Sequence, residues 1–127
     1  MLNQISQLRI SEEVRIETGS LQLLQTSLGD QASQDVIERA IVEVAERIGM
    51  MEKALLIWDC DGVAKTGRGL SAISDQLGLV ALSQVAQDAV RCAGRRDSIA
   101  LHAVVGRLAR VGDASLSAAI EGAIPPA

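Results

Sequence analysis

The sequence predicts an all-α protein, an up-down four-helix bundle preceded by an N-terminal arm. Three observations predict it: a long apolar stripe at helical spacing, glycine breaks at Gly78 and Gly94 between the later amphipathic segments, and an almost purely aliphatic set of apolar residues. The breaks leave only short connections, so consecutive helices are expected to lie antiparallel, which gives the up-down order.

The composition fits one globular domain and excludes several function classes. Of the 127 residues 48% are hydrophobic and 22% are charged, which suits a domain with its own core. Trp58 is the sole aromatic residue and the net charge is -4, so we expect no nucleic-acid partner. Cys60 and Cys92 have no metal-ligand neighbourhood and are expected to be free thiols. Without a membrane-length apolar run or a secretory signal, a cytoplasmic protein with no membrane partner is expected.

The first helix has the clearest periodicity in the chain. Its apolar residues recur at alternating steps of four and three: Ile37, Ile41, Val44, Ile48, Met51, Leu55 and Trp58. Such a stripe predicts one continuous helix from about residue 35 to 58, with Ser33 or Asp35 as its N-cap. Glu43 and Arg47 lie off the stripe, one turn apart, and are expected to pair.

The second helix is predicted over about residues 62 to 77. Asp61 is a good N-cap residue, and Gly78 is expected to end the helix in the left-handed conformation. The apolar face consists of Val63, Gly67 or Thr66, Leu70, Ile73 and Leu77.

Two more helices are predicted before the chain ends. The third, over about residues 80 to 93, stops at Gly94, and Asp97 caps the fourth. Gly112 is expected to end or loosen the fourth helix, and residues 115–120 can add another turn or two.

Residues 1–32 follow a different pattern. Val14 and Ile16 alternate with charged residues, and residues 18–20 read as a turn. A short β-hairpin and a frayed amphipathic helix both fit this arm. A lone hairpin is marginal in water, so the arm is expected to lie on the bundle or on a second subunit, which makes a homodimer possible. The predicted organisation is an arm at 1–32, a helical bundle at 33–122 and a tail at 123–127.

A motif lies on the predicted second helix. Leu70, Ala72 and the pair Leu77-Gly78 stand where one known signature has its aliphatic, small and helix-ending residues. The stretch resembles the signature of histidine phosphotransfer domains, helical bundles that relay phosphoryl groups between receiver domains. The resemblance covers about residues 35 to 120 and implies the same four-helix bundle. It places Arg68 at the phosphoacceptor histidine and Ser71 at the lysine.

Arg68 changes the chemistry that the resemblance implies. Phosphotransfer needs a neutral imidazole nitrogen as nucleophile, whereas arginine is always protonated and only donates. The implied protein is therefore not an enzyme and has no cofactor or metal; it is a signalling module that docks a receiver or histidine kinase without relaying phosphate. The docking surface implied on the second helix is Lys65, Arg68, Gly69, Ser71, Ala72 and Asp75.

His102 offers a competing interpretation, an active phosphorelay protein. His102, Val105 and the pair Val111-Gly112 repeat the phosphotransfer spacing, with valine in place of the lysine. Too little chain follows Gly112 for the two helices that the family places behind its histidine helix. A structural or solvated histidine is the simpler interpretation.

Two further alternatives come from different classes of protein. The segment from Leu55 to Val63 resembles the first motif of haloacid-dehalogenase-type phosphatases, in which Asp59 would be the nucleophile and Asp61 the acid/base, beside a magnesium ion. That motif needs a buried strand, but Leu55 and Trp58 continue the helical stripe. The remaining alternative is a structural helical homodimer built by the arm.

Overall fold

Four helices make up residues 30–123, the part of the chain that a computed structural model describes. They are α1 (Asp30–Leu56), α2 (Cys60–Gln76), α3 (Val80–Arg95) and α4 (Ser98–Ala123). Each helix packs on the next, and α4 closes the bundle against α1. The predicted all-α four-helix bundle is confirmed. The predicted hairpin of the arm lies outside the described residues.

The core is aliphatic, as the composition predicts. Its largest fully buried side chains include Ile37, Met51, Leu70, Leu82, Leu101 and Leu108. The predicted pair of Glu43 and Arg47 forms on the surface of α1, with 2.5 Å between Oε1 and Nη2. Between Asp30 and Ala123, no helix has both the length and the apolar content that crossing a bilayer requires.

The ends of α1 differ from the prediction. The helix begins at Asp30, so Ser33 and Asp35 lie inside it, and it ends at Leu56. Trp58 therefore does not complete the helical stripe. It has a left-handed backbone with φ of 53° and is 39% exposed.

All three connections between helices repeat one backbone motif. Trp58, Gly78 and Arg96 each adopt positive φ and follow the last turn of a helix. In each case two amide N–H groups close that turn in the pattern of a Schellman motif; at the first connection, Trp58 donates to the carbonyl of Leu55 and Asp59 to that of Ala54. Only Gly78 has the residue type that favours this conformation. The prediction for Gly78 is confirmed, whereas α3 runs past Gly94 and ends before Arg96.

The residue after each left-handed position lies directly before the next helix, at Asp59, Leu79 and Asp97. The Asp97 side chain accepts a hydrogen bond from the amide of Ala100 at 3.1 Å, as predicted. For α2 the predicted cap is wrong by two residues: Asp59 is the N-cap and its Oδ1 accepts from Gly62 N at 2.9 Å. Asp61 lies in the first turn of α2, with Oδ1 3.5 Å from a guanidinium nitrogen of Arg96.

This difference between the two aspartates predicts unequal costs of substitution. Asp59→Ala removes the side-chain acceptor of α2 and is expected to lower the free energy of unfolding by about 1 kcal/mol. Asp61→Ala serves as the control and is expected to cost less, because the side chain is exposed and its ion pair is solvated. Urea denaturation of both variants measures the difference, and a larger loss for Asp61→Ala would show that Asp59 does not act as the cap.

Buried glycines mark the places where helices approach closely. A Cβ atom at position 112 would lie 2.5 Å from Cδ1 of Ile48 on α1. Gly112 therefore does not end or loosen α4, contrary to the prediction. The helix continues through it, and the absence of a side chain at this position leaves room for Ile48 between α1 and α4. Gly67 has the same role between α2 and α3, where a Cβ would lie 2.8 Å from Val90 Cγ2 and 3.2 Å from the carbonyl oxygen of Ala86.

Candidate docking face on α2

The outer face of α2 carries four of the six predicted docking residues. Lys65, Arg68, Ala72 and Asp75 are exposed, and their spacing of three and four places them on one side of the helix. Arg68 lies at the middle of α2, which packs against α1 on one side and α3 on the other. No ion-pair partner of Arg68 lies among residues 30–123.

The other two predicted residues do not form exposed surface. Gly69 is half-buried, because the guanidinium of Arg47 lies over it. Ser71 is only 8% exposed. Of the two neighbours between which the helical pattern did not decide, Ala72 faces outward and Ser71 faces α3.

A polar network explains the burial of Ser71. Its hydroxyl lies 3.0 Å from the Ser83 hydroxyl and accepts a hydrogen bond from Gln87 Nε2 at 3.1 Å. Ser83 and Gln87 are both on α3, so the network joins α2 to α3. Ser71, its member on α2, lies three residues after Arg68 in the sequence. A buried hydroxyl with partners avoids the cost of an unsatisfied polar group.

A shallow groove lies between α2 and α3, next to this network. It has a volume of about 290 Å³ and is lined by Arg68 and Ser71 of α2 and by Gln87, Val90 and Arg91 of α3. Arg91 forms an ion pair with Asp88 one turn before it. Gln87 and Arg91 were not predicted to lie on this face. Their spacing of four on the third helix, in register with Ser83, is the signal that could have found them.

His102 lies on a different part of the bundle. It is exposed on α4, which packs on α3 and α1, and its ring stacks on Trp58 with centroids 6.1 Å apart. Its Nδ1 lies 2.7 Å from the carbonyl oxygen of Ser98, so this nitrogen donates the hydrogen bond. Val105, at the lysine position of this alternative motif, is buried.

The phosphatase alternative is contradicted by the fold. Leu55 and Leu56 are the last residues of α1, and no strand forms within residues 30–123. Asp59 caps α2 and Asp61 is exposed in the first turn, so neither follows a buried strand. The helical stripe, which ends at Leu55, explains why this segment does not enter a sheet.

Comparison with known proteins finds a solved structure with a similar fold. No protein-family model and no curated protein matches the sequence. The crystal structure of histidine-containing phosphotransfer protein B from Pseudomonas aeruginosa PAO1 superposes with a TM-score of 0.78. The two chains share a fold. The match covers 85% of this chain and 93% of the other at 17% sequence identity. At this identity the similarity shows a shared fold and does not show a shared activity.

Proposed function

We propose that this protein is a signalling module that docks a receiver domain or a histidine kinase without relaying phosphate. The observation that carries the proposal is Arg68, exposed at the middle of α2 in a bundle with the fold of a phosphotransfer protein. In the resemblance of the sequence to the phosphotransfer signature, Arg68 occupies the acceptor position. A guanidinium has no free lone pair, so it can hold an anionic group but cannot take the phosphoryl group.

The surroundings of Arg68 support a docking role. Lys65, Ala72 and Asp75 extend the exposed face along α2, and Ala72 adds little bulk in front of a partner. Ser71 and Gly69 support this face without forming its exposed surface. Ser71 holds α3 beside α2 through its hydrogen bonds, and Gly69 leaves room for the side chain of Arg47. The exposed guanidinium of Arg68 can hold a carboxylate or phosphate group of a partner protein.

Binding to a panel of purified receiver and kinase domains tests the proposal. We expect at least one of them to bind, and we expect Arg68→Glu to weaken binding about ten-fold or more, because it places like charges in contact. Arg110→Glu, an equal charge change on the exposed side of α4, is the control and should change the affinity little. No binding by any domain of either class would refute the docking function.

A second candidate function has one observation in its favour. With Nδ1 of His102 donating to the Ser98 carbonyl, the neutral ring carries its lone pair on Nε2, which is the form that a phosphoryl acceptor needs. In this alternative the protein is an active phosphotransfer protein that uses His102. The third interpretation, a homodimer built by the arm, depends mainly on residues 1–29, which lie outside the described part of the chain.

A further inference from the structure

One end of the bundle, where α1 connects to α2 and α4 begins, exposes a group of large apolar side chains. Within residues 30–123 eight large hydrophobic side chains are exposed, and the three most exposed, at 77% to 86%, all lie at this end. Together with Trp58 they form what we call the end patch: Leu56, Ile57, Trp58 and Ile99. Large apolar side chains that are exposed as a group mark an interaction surface, whereas single ones scattered over a surface do not.

A contact between the two segments fixes the end patch. The Trp58 ring stacks on His102 of α4, with centroids 6.1 Å apart and the ring planes 8° from parallel. Ile99 lies three residues before His102, so both lie on one side of α4. Trp58 adopts its left-handed backbone although side chains other than glycine disfavour it, and it stays partly exposed. The chain thus presents an aromatic side chain that is already positioned, which a partner can cover with little loss of side-chain entropy.

Neither the arm nor the tail is joined to the bundle at this end. Residues 1–29 precede α1 at Asp30 and residues 124–127 follow α4 at Ala123, so both are joined at the opposite end of the up-down bundle. The 27 residues of α1 separate the two ends by about 40 Å. We therefore expect another molecule to cover the end patch.

The charges around the end patch favour a second copy of this chain as that molecule. An anionic membrane would need a cluster of cations beside the apolar side chains. The surrounding charges are instead a mixture of both signs: Lys53, Arg95 and Arg96 with Glu52, Asp59, Asp61 and Asp97.

Most of these carboxylates already have partners within the chain. Asp59 and Asp97 cap helices, and Asp61 pairs with Arg96. The charges that have no ion-pair partner within residues 30–123 and cap no helix are Glu52, Lys53 and Arg95. A surface with unpaired charges of both signs can be self-complementary, because across a two-fold axis Glu52 of each copy can meet a cation of the other.

We infer that the end patch is the contact surface of a homodimer in which two copies of the chain pack end to end across a two-fold axis. The docking face begins at Lys65, more than one turn from the first residue of α2, and shares no residue with the end patch. The inference is therefore independent of the proposed docking function, and both docking faces stay exposed in the dimer. The end patch is smaller than a standard interface of about 800 Å² per partner, so we expect a weak dimer with a dissociation constant between about 10 μM and 1 mM.

The experiment combines two measurements on the full chain over the same range, from about 10 μM to 1 mM. Sedimentation equilibrium measures the dimer, and the fluorescence of Trp58, the sole tryptophan, reports on the end patch alone. We expect dimer to form as the concentration rises, and the Trp58 emission to shift to shorter wavelength with the same midpoint. A chain that stays monomeric would overturn the inference. A dimer that forms with no change in Trp58 emission would also overturn it, because the contact would then lie elsewhere, for example in the arm.

Matched variants assign the contact to the end patch. Ile57→Glu and Ile99→Glu each place a charge in the apolar contact of both copies and should weaken dimerisation about ten-fold or more. Val42→Glu makes the same kind of change at an exposed apolar position about 20 Å from Leu56 along α1, and should leave dimerisation unchanged. Arg68→Glu, which tests the docking face, should leave it unchanged as well, so the two proposals can fail separately.

Two further outcomes would overturn the inference. The first is a dimer that persists in both end-patch variants after circular dichroism has shown that they are folded. The second is a monomer whose Trp58 emission shifts on addition of a receiver domain or of vesicles that contain phosphatidylserine, which would assign the end patch to that partner.

Discussion

Gly67→Val is expected to lower the free energy of unfolding by about 3 kcal/mol, the upper part of the range for an overpacked core. The position is buried between α2 and α3, and even a Cβ would lie 2.8 Å from Val90 Cγ2. The carbonyl oxygen of Ala86 and Cε of Met51 close the site on other sides at 3.2 and 3.3 Å. Because one of these neighbours is backbone, α3 must move away from α2 to admit the side chain. Urea denaturation monitored by circular dichroism measures the loss.

Gly49→Val provides a matched control, since it makes the same chemical change in the interior of α1. A Cβ at position 49 meets nothing within 4 Å, so only the difference in helix propensity remains. We expect Gly49→Val to be neutral or slightly stabilising. If both variants lost the same stability, the cost would belong to valine in a helix and not to the contact between α2 and α3.

The positions of the helices could be predicted from the sequence, whereas two of the three connections could not. Gly78 marks its own turn, because glycine adopts positive φ without steric cost. Trp58 and Arg96 adopt the same conformation although their side chains disfavour it. At those two places the packing of the helices determines the backbone conformation, and the residue type gives no local signal from which it could be predicted. A helix end was predicted at Gly94 for the same reason as at Gly78, namely the preference of glycine for turns. At Gly94 that local preference was misleading, because α3 continues to Arg95.

The docking face shows the same division between local and distant information. The spacing of Lys65, Arg68 and Asp75 was sufficient to place them on the exposed side of α2. Ser71 and Ala72 are adjacent small residues, so the periodicity of α2 alone did not decide which of them is buried. The answer comes from α3, where Ser83 and Gln87 supply hydrogen-bond partners that only Ser71 can use. That match spans two helices, which also explains why Gln87 and Arg91 were not assigned to this face.

Replacing Arg68 by histidine is expected to convert the docking module into a phosphoryl acceptor. The position is exposed at the middle of α2, so an imidazole there would be solvated and largely neutral at pH 7. Its ring nitrogen could attack the phosphorus of a bound aspartyl phosphate, and the bond from phosphorus to the carboxyl oxygen would break. Incubation with a receiver carrying radioactive phosphate should change the labelling of the protein from none to a readily detected acid-labile phosphate.

The single histidine of the natural chain makes this experiment unambiguous. An acid-labile label on the wild-type protein that is lost in His102→Gln would place the phosphoryl group on His102 and establish the relay of the second candidate function. The double variant Arg68→His with His102→Gln isolates the new acceptor. Label on the double variant and none on the wild type would show that the chain kept the docking geometry of a phosphotransfer protein and lost only the nucleophile. A folded double variant that binds the receiver yet takes no label would mean that residue 68 does not face the phosphorylated aspartate, and the assignment of Arg68 to the acceptor position would then be wrong.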